Sequence, residues 1–548
     1  MLDTILRITI ISLLIGHYSY GQERTVGTIL ISDDDVQNGY TLISPITYNK
    51  TYLINNCGEV INEWTSEYTA GLMAYLLEDG RLLRGGMSTV EFGAGGAGGI
   101  IELFSWDGEL LWSYKYSDDR VQHHHDIEYL PNGNILVLAW VKLNEIEIID
   151  TGRDPEFIDT DRGLWTESIV ELKPKGLHSA EIVWEWNAFD HLIQDRDSLS
   201  GNYGIVQDHP ELIDANYPYR SISTGDWMHF NSVDYNETLD QIILGSRNFN
   251  EFYIIDHSTT TEEAASHSGG RYGKGGDILY RWGNPEVYKR GTADDVKLFG
   301  LHDPHFVEVD NDDNSKIIVF NNGAGRLPFY SAIEIIVTDH DNGFYNIDSI
   351  APYGPEEPNT VIESNDEIDF NSPRISGVQQ LPNGNLLICS GNKYQLIELT
   401  PDGELAWLYE NPVASFGPIP QGASSAARDL FRAHKYNVEY PAFIGRDLTP
   451  GDFLELQPMD DACGILSAFD DITDDFGETI LYPNPSLDWV YINSDKRLDF
   501  KLLNSTGQYQ YSGSISKSRI NVSSLNPGIY ILQLFNDNHK YTAKIIKQ

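Results

Sequence analysis

The chain is poor in sulfur and in positive charge. Its 548 residues include 3 cysteines and 5 methionines, and 37 basic side chains face 82 acidic ones. Three cysteines cannot build a disulfide framework, which excludes a small stapled fold. Cys57 and Cys389 lie in apolar, strand-like surroundings and read as buried thiols, with room for one bridge at most. A formal charge of −45 repels phosphate and excludes a nucleic-acid partner. Long amphipathic helical periods are also missing, as is any apolar run long enough to span a bilayer comfortably. The apolar stretch at residues 8–15 follows Arg7 and precedes the small residues Ser19 and Gly21. It reads as a cleavable secretory leader covering residues 1–21, which leaves no membrane span in the mature chain.

The chain is rich in turn formers and aromatics: 48 Gly, 24 Pro, 31 Tyr and 11 Trp suit many short strands joined by tight turns. One phrase, an apolar strand closing on tryptophan, recurs. It occurs as Gly58-Glu59-Val60-Ile61-Asn62-Glu63-Trp64 and as Gly108-Glu109-Leu110-Leu111-Trp112, then ahead of Trp184 and Trp186, of Trp282, and of Trp407. A second phrase pairs an Asn-Gly turn with an apolar run, as in Leu130-Pro131-Asn132-Gly133-Asn134 and Leu381-Pro382-Asn383-Gly384-Asn385. The units return at irregular intervals of roughly 50 to 80 residues, near the range of propeller repeats. A single small sheet cannot bury both faces, but sheets arranged radially cover one another. The fold class expected is therefore all-β, a six-bladed β-propeller over residues 22–457. Two segments read as insertions: residues 151–192, polar and irregular, and residues 262–276, a Gly/Ser-rich loop expected to be mobile.

Residues 458–478 form an acidic linker. Beyond it, from residue 479 to 548, comes a small β-sandwich-like unit. It opens on Tyr482-Pro483-Asn484-Pro485, carries Asn526-Pro527-Gly528-Ile529-Tyr530 and ends on the basic Lys544-Ile545-Ile546-Lys547. These features resemble the C-terminal sorting domain of type IX secretion cargo. The resemblance implies the type IX secretion machinery as a partner, and a secreted or cell-surface location.

Four basic side chains stand at equivalent places in different units. His125 precedes the first Leu-Pro-Asn-Gly turn. His229 lies in Asp226-Trp227-Met228-His229-Phe230-Asn231-Ser232-Val233-Asp234-Tyr235, Arg247 ends the next strand, and His302 lies in Leu301-His302-Asp303-Pro304-His305. The turn between His229 and Arg247 returns both to one sheet edge. Innermost propeller strands begin near the central channel, so side chains from separate blades converge there. Three imidazoles and a guanidinium in so acidic a chain would make a cationic anion site. Singly, each also fits a structural role: His229 capping a strand, or Arg247 pairing with Asp226 or Asp234.

The same motifs, with Ser372-Pro373-Arg374-Ile375-Ser376-Gly377, resemble bacterial arylsulfate sulfotransferases that use no nucleotide sulfate donor. The resemblance implies a six-bladed propeller that transfers a sulfuryl group from a phenolic sulfate donor to a phenol acceptor. It further implies a ping-pong route through a sulfohistidine, with no cofactor and no metal. It makes His302 the nucleophile, with His125, His229 and Arg247 binding sulfuryl oxygens and handling protons. His305, Trp227 and Asn231 would serve the substrate. Leu301 stands where the family often has Gln, and His305 is an extra histidine, the alternative nucleophile. The chemistry suits these residue types. A neutral imidazole is a usable nucleophile, and arginine offers a permanent planar donor fork for the charge that develops on oxygen. The competing readings are a secreted propeller that binds glycan or protein without turnover, and a metal-dependent hydrolase built on the three histidines.

Overall fold

The computed structural model describes residues 24–459 with short gaps at 33, 91, 160, 221–224, 308–314 and 424–425, then Cys463 and, from residue 481, the strands and several connections of the C-terminal unit. The expected leader and nearly all of the acidic linker lie outside the described residues. The chain is all-β with few and short helices. Among the described residues no helix is long and apolar enough to cross a membrane.

Six antiparallel sheets of four or five strands make up the main body. From its inner strand outward, sheet I runs Leu430–Asn437, Gly39–Pro45, Lys50–Asn55, Val60–Thr65. Sheet II runs Ala70–Leu76, Leu82–Met87, Gly99–Phe104, Leu110–Lys115, and sheet III runs Val121–Tyr129, Ile135–Lys142, Trp165–Lys175, Ser179–Asn187. Sheet IV runs Phe230–Asn236, Gln241–Ser246, Glu251–Asp256, Tyr280–Trp282, and sheet V runs His302–Val307, Lys316–Asn321, Ala332–Val337, Thr360–Glu363. Sheet VI runs Ser376–Gln380, Leu386–Ser390, Gln395–Leu399, Leu405–Glu410, and takes Gly27–Ile31 as a fifth, outer strand. The second strands, such as Ile135–Lys142 and Lys316–Asn321, are covered on both faces and read as unbroken apolar runs, whereas the outer Ser179–Asn187 is largely exposed.

The recurring tryptophans explain how one sheet meets the next. Five of them, each on the fourth strand of its sheet, donate the indole N–H to a carbonyl at the connection between the third and fourth strands of the following sheet, while Trp184 donates to Thr259 Oγ1 at 3.1 Å. Trp64 reaches Ser105 at 2.9 Å, Trp112 reaches Ser179 at 2.8 Å, Trp186 reaches Gly276 at 2.7 Å, and Trp282 reaches Pro355 at 2.7 Å. Trp407 of sheet VI reaches Asn56 of sheet I at 2.8 Å. A large apolar body with one polar tip suits this position, between a dry inter-sheet core and a turn.

Several expectations need correction. Residues 151–192 are not one irregular insertion, because Trp165–Lys175 and Ser179–Asn187 are the outer half of sheet III. Residues 262–276 are tied down rather than loose: Thr260 caps the short helix Thr261–Ala264, and Tyr272 Oη donates to the Leu239 carbonyl at 2.6 Å. Cys57 is not a core thiol. It sits in a turn and is joined by a disulfide to Cys463. Cys389 is free and buried, as expected. The C-terminal unit folds into two further sheets around its own core of Val490, Leu502, Leu532 and their neighbours.

Candidate active site

The inner strands carry an unusual backbone feature. His125, His229 and Asp303 adopt left-handed φ values of 52°, 53° and 59°, and next to each the pairing with the second strand slips register. A bulge of this kind re-aims side chains at a strand end, and each left-handed non-glycine residue costs on the order of 1–3 kcal/mol. The cost brings the predicted residues together. The rings of His125 and His229 lie 4.6 Å apart, centroid to centroid, and Phe431 packs 5.7 Å from His125 and 6.1 Å from His302. The Arg247 backbone N–H donates to the His229 carbonyl at 3.1 Å, so the hairpin does return both to one edge. Its guanidinium bears electrostatically on both His125 and His302.

Hydrogen bonds fix how each ring presents its second nitrogen. His302 Nδ1 faces two acceptors, Asn322 Oδ1 at 2.8 Å and the Gly300 carbonyl at 3.1 Å. The Asn322 amide nitrogen is committed to the Ser372 carbonyl and Ser376 Oγ, which sets the orientation of the oxygen. His302 therefore carries its proton on Nδ1 and leaves the Nε2 lone pair free. His229 Nδ1 lies 2.5 Å from Asp226 Oδ2, a carboxylate orienting an imidazole. His125 Nδ1 lies 2.9 Å from His124 Nδ1, and His124 Nε2 lies 2.9 Å from Glu167 Oε2. Trp140 stacks on His124 at 4.1 Å, and Glu167 Oε1 accepts from the Phe230 backbone N–H at 2.9 Å.

Burial decides the charge of these groups. Burial first, and then the Arg247 charge, push His302 down to about 3. Burial and the neighbouring imidazoles hold His125 well below its usual range, and burial with His229 pushes His124 to about 3. Burial and then Asp226 raise Glu167 well above the usual carboxyl range. The three buried imidazoles are thus neutral. Arg247 adds a permanent positive charge beside them, and the charge of exposed Arg374 bears on it.

Beneath the histidines lies Arg432, which the sequence reading passed over. Its Nη1 donates to Asp126 Oδ2 at 2.9 Å and lies 3.0 Å from Asp303 Oδ1, and its Nη2 donates to the Asn231 carbonyl at 3.2 Å. Tyr75 donates to Asp126 at 2.9 Å, and the Val233 and Val378 backbone N–H groups donate to Asp126 and Asp303 at 3.1 and 2.9 Å. Although burial works against it, the two carboxylates hold the Arg432 guanidinium above its ordinary range. Gly377 makes room, since a Cβ there would stand 2.2 Å from Arg432 Cγ. All six sheets thus contribute to one buried group. The clue in the sequence was the aspartate directly after two of the three candidate histidines, Asp126 and Asp303, because two buried carboxylates call for a counter-ion.

The remaining expected residues are placed differently. Trp227 is 1 % exposed, donates to the Tyr217 carbonyl at 2.6 Å and carries Arg153 against its ring, so it supports the Asp226–His229 turn from behind. Asn231 is buried and donates to the Leu301 carbonyl at 2.7 Å, tying sheet IV to the His302 turn. His305 turns its Nδ1 to the Asp303 carbonyl at 2.9 Å and bears on Asp234 and His434. Among the described residues, the group of side chains able to hold a metal ion lies away from His125, His229 and His302.

The all-β body thus gathers imidazoles and a guanidinium from separate sheets at its strand ends. The Arylsulfotransferase (ASST) family matches residues 33–399, and the chain belongs to that family. Aryl sulfotransferase activity is the family's general activity. Residues 480–548 match the secretion system C-terminal sorting domain, which implies the type IX machinery and a secreted or cell-surface location. No curated protein matches the chain. Similar solved structures are distant. A protein of unknown function from Bacteroides caccae shows 13% identity and a TM-score of 0.38, covering 72% of this chain and 98% of its own. A putative 6-phosphogluconolactonase from Bacteroides fragilis shows 12% identity and a TM-score of 0.33, covering 74% and 99%. Virginiamycin B lyase from Staphylococcus aureus shows 12% identity and a TM-score of 0.32, covering 72% and 86%. Likenesses at this level carry no argument about activity.

Proposed function

We propose that the six sheets are the blades of a closed six-bladed propeller, and that the enzyme moves a sulfuryl group from an aryl sulfate to a phenol by a ping-pong route through His302. The observation that carries the reading is the commitment of His302 Nδ1 to Asn322 and Gly300, which leaves Nε2 with its lone pair. In the first half-reaction Nε2 attacks sulfur, an N–S bond forms, and the bond from sulfur to the phenolic oxygen breaks. The ring keeps its Nδ1 proton and becomes a sulfoimidazolium. The departing phenolate takes a proton from His229, whose ring Asp226 orients. In the second half the acceptor phenol returns a proton to His229, its oxygen attacks sulfur, and His302 leaves. Phenols have pKa values of about 10 or lower, so one positioned proton donor is enough.

Arg247 and His125 bind the sulfuryl oxygens, where charge develops, and Arg374 at the rim attracts the anionic ester. His124 and Glu167 extend the machinery. A protonated Glu167 donates to His124, which donates to His125 Nδ1, and this places a proton on His125 Nε2, facing the sulfuryl group. His124 and Glu167 are positioning residues in this reading.

The test is mass spectrometry of enzyme quenched after exposure to aryl sulfate alone. A labile added sulfuryl group on His302 is expected, with sustained phenol release only when an acceptor phenol is supplied. Label on His305, or turnover without acceptor, would overturn the assignment.

A further inference from the structure

Away from the histidine cluster, at the boundary of sheets III and IV, three side chains meet that the sulfuryl chemistry does not use. His191 ends the short turn Ala188–His191 after sheet III, His267 lies in the segment after helix Thr261–Ala264, and Asp277 leads into the outer strand Tyr280–Trp282 of sheet IV. His191 Nδ1 and His267 Nδ1 each lie 2.8 Å from the same oxygen, Asp277 Oδ1, and the three candidate ligand atoms lie within 4.8 Å of one another.

The other nitrogen of His191 makes this more than an ion pair. His191 Nε2 lies 2.8 Å from the Ala264 carbonyl, which only accepts, so Nε2 carries a proton. In the neutral ring Nδ1 then turns a lone pair toward a carboxylate oxygen. Two acceptors in contact require a cation between them, either a proton or a metal. A histidine that donates one N–H to a backbone carbonyl while its other nitrogen faces a carboxylate has the arrangement of a metal ligand held by its outer shell. The ring is also fixed in plane, because Trp186 stacks on it at 5.4 Å with an interplanar angle of 5°. His191 and Asp277 are buried, while the His267 side chain is 61 % exposed and leaves one side of the cluster open to solvent. A cavity lined by His267, Asp190 and His209 opens there, with room for a water ligand.

We propose that His191, His267 and Asp277 bind a divalent transition-metal cation of the zinc class. Two imidazole nitrogens, one carboxylate and a water make a ligand set that suits zinc. An ion at the usual zinc–ligand length of about 2.0 Å needs the two N···O distances to open by roughly half an ångström and the two imidazole nitrogens, within 4.8 Å of one another, to stand no more than about 4 Å apart, a movement open to the exposed His267 ring. The ion clips residues 262–276 onto the seam between the two sheets. Sequence spacing hides the set, because its members belong to three separate elements.

The experiment uses untagged full-length protein, dialysed against EDTA and titrated calorimetrically with Zn²⁺. One saturable site is expected, together with protection of residues 262–276 from limited proteolysis. His267→Ala should weaken binding by at least about tenfold while its metal-free circular dichroism and melting temperature stay those of the parent. Co²⁺ should give visible ligand-field bands in the parent and not in Asp277→Asn. Absence of a saturable site, or equal affinity in His267→Ala, would overturn the proposal. The outcome does not depend on the fate of His302.

Discussion

Two layers of ionisable side chains lie at the centre of this molecule, and both are buried. In the lower one, Arg432, Asp126, Asp303 and Tyr75 exchange hydrogen bonds with one another and with backbone from the surrounding sheets. In the upper one, each imbedded imidazole engages Nδ1 with a protein partner, Asn322, Asp226 or His124. Their Nε2 atoms are left for something else. Burial alone therefore does not separate scaffold from chemistry. The difference is whether the valences of the layer are spent internally.

The contrast can be broken by substitution. His302→Ala should lower sulfuryl transfer by roughly 10⁴-fold or more, equivalent to about 5.5 kcal/mol in the barrier, with little change in the urea midpoint. His305→Ala should stay within a few-fold of the parent in the same assay. Arg432→Met should do the reverse first, costing on the order of 3–5 kcal/mol of stability in urea unfolding, because two carboxylates lose their counter-ion in the interior.

A smaller effect sharpens the comparison from the side of pH. His123 is fully buried, accepts the Gly99 backbone N–H at 2.9 Å, and is pushed down to about 3 by burial and then by His124. Its folded pKa lies below its unfolded value of about 6.5, so the unfolded chain binds the extra proton. The stability this histidine contributes is present above about pH 6.5 and is lost as pH falls toward 3. His123→Gln keeps an acceptor and should flatten that acid slope by up to about 1.4 kcal/mol per pH unit, read from urea midpoints at several pH values. Glu167→Gln should cost far less than His302→Ala, roughly a tenfold loss of activity. The loss should appear in kcat more than in KM, with a displaced pH profile. An unmoved profile would reduce Glu167 to packing.

Much of this was legible in the sequence, for local reasons. The tryptophan phrase and the Asn-Gly turns mark strands because they answer to turn geometry and to an indole reaching the next turn. His125, His229 and His302 were found because each stands in or just before an inner strand, Arg247 because it ends the strand that pairs back toward His229, and all four because their motifs resemble those of one family. What stayed hidden is non-local. Gly27–Ile31 pairs with Leu405–Glu410, and Gly39–Pro45 with Leu430–Asn437, across roughly 400 residues, and nothing local in either segment names its partner. The Cys57–Cys463 bridge spans 406 residues and was missed for the same reason. His124 carries no local signal within the run His123-His124-His125, since only the fold brings Glu167 to it.

The last of the central strands to be synthesised is also the one that brings the guanidinium. A ribosome must deliver Leu430–Asn437 before the first sheet has its innermost member and before Asp126 and Asp303 acquire a partner. A chain that stops short of Leu430 therefore lacks the innermost strand of the first sheet and leaves Asp126 and Asp303 without their guanidinium.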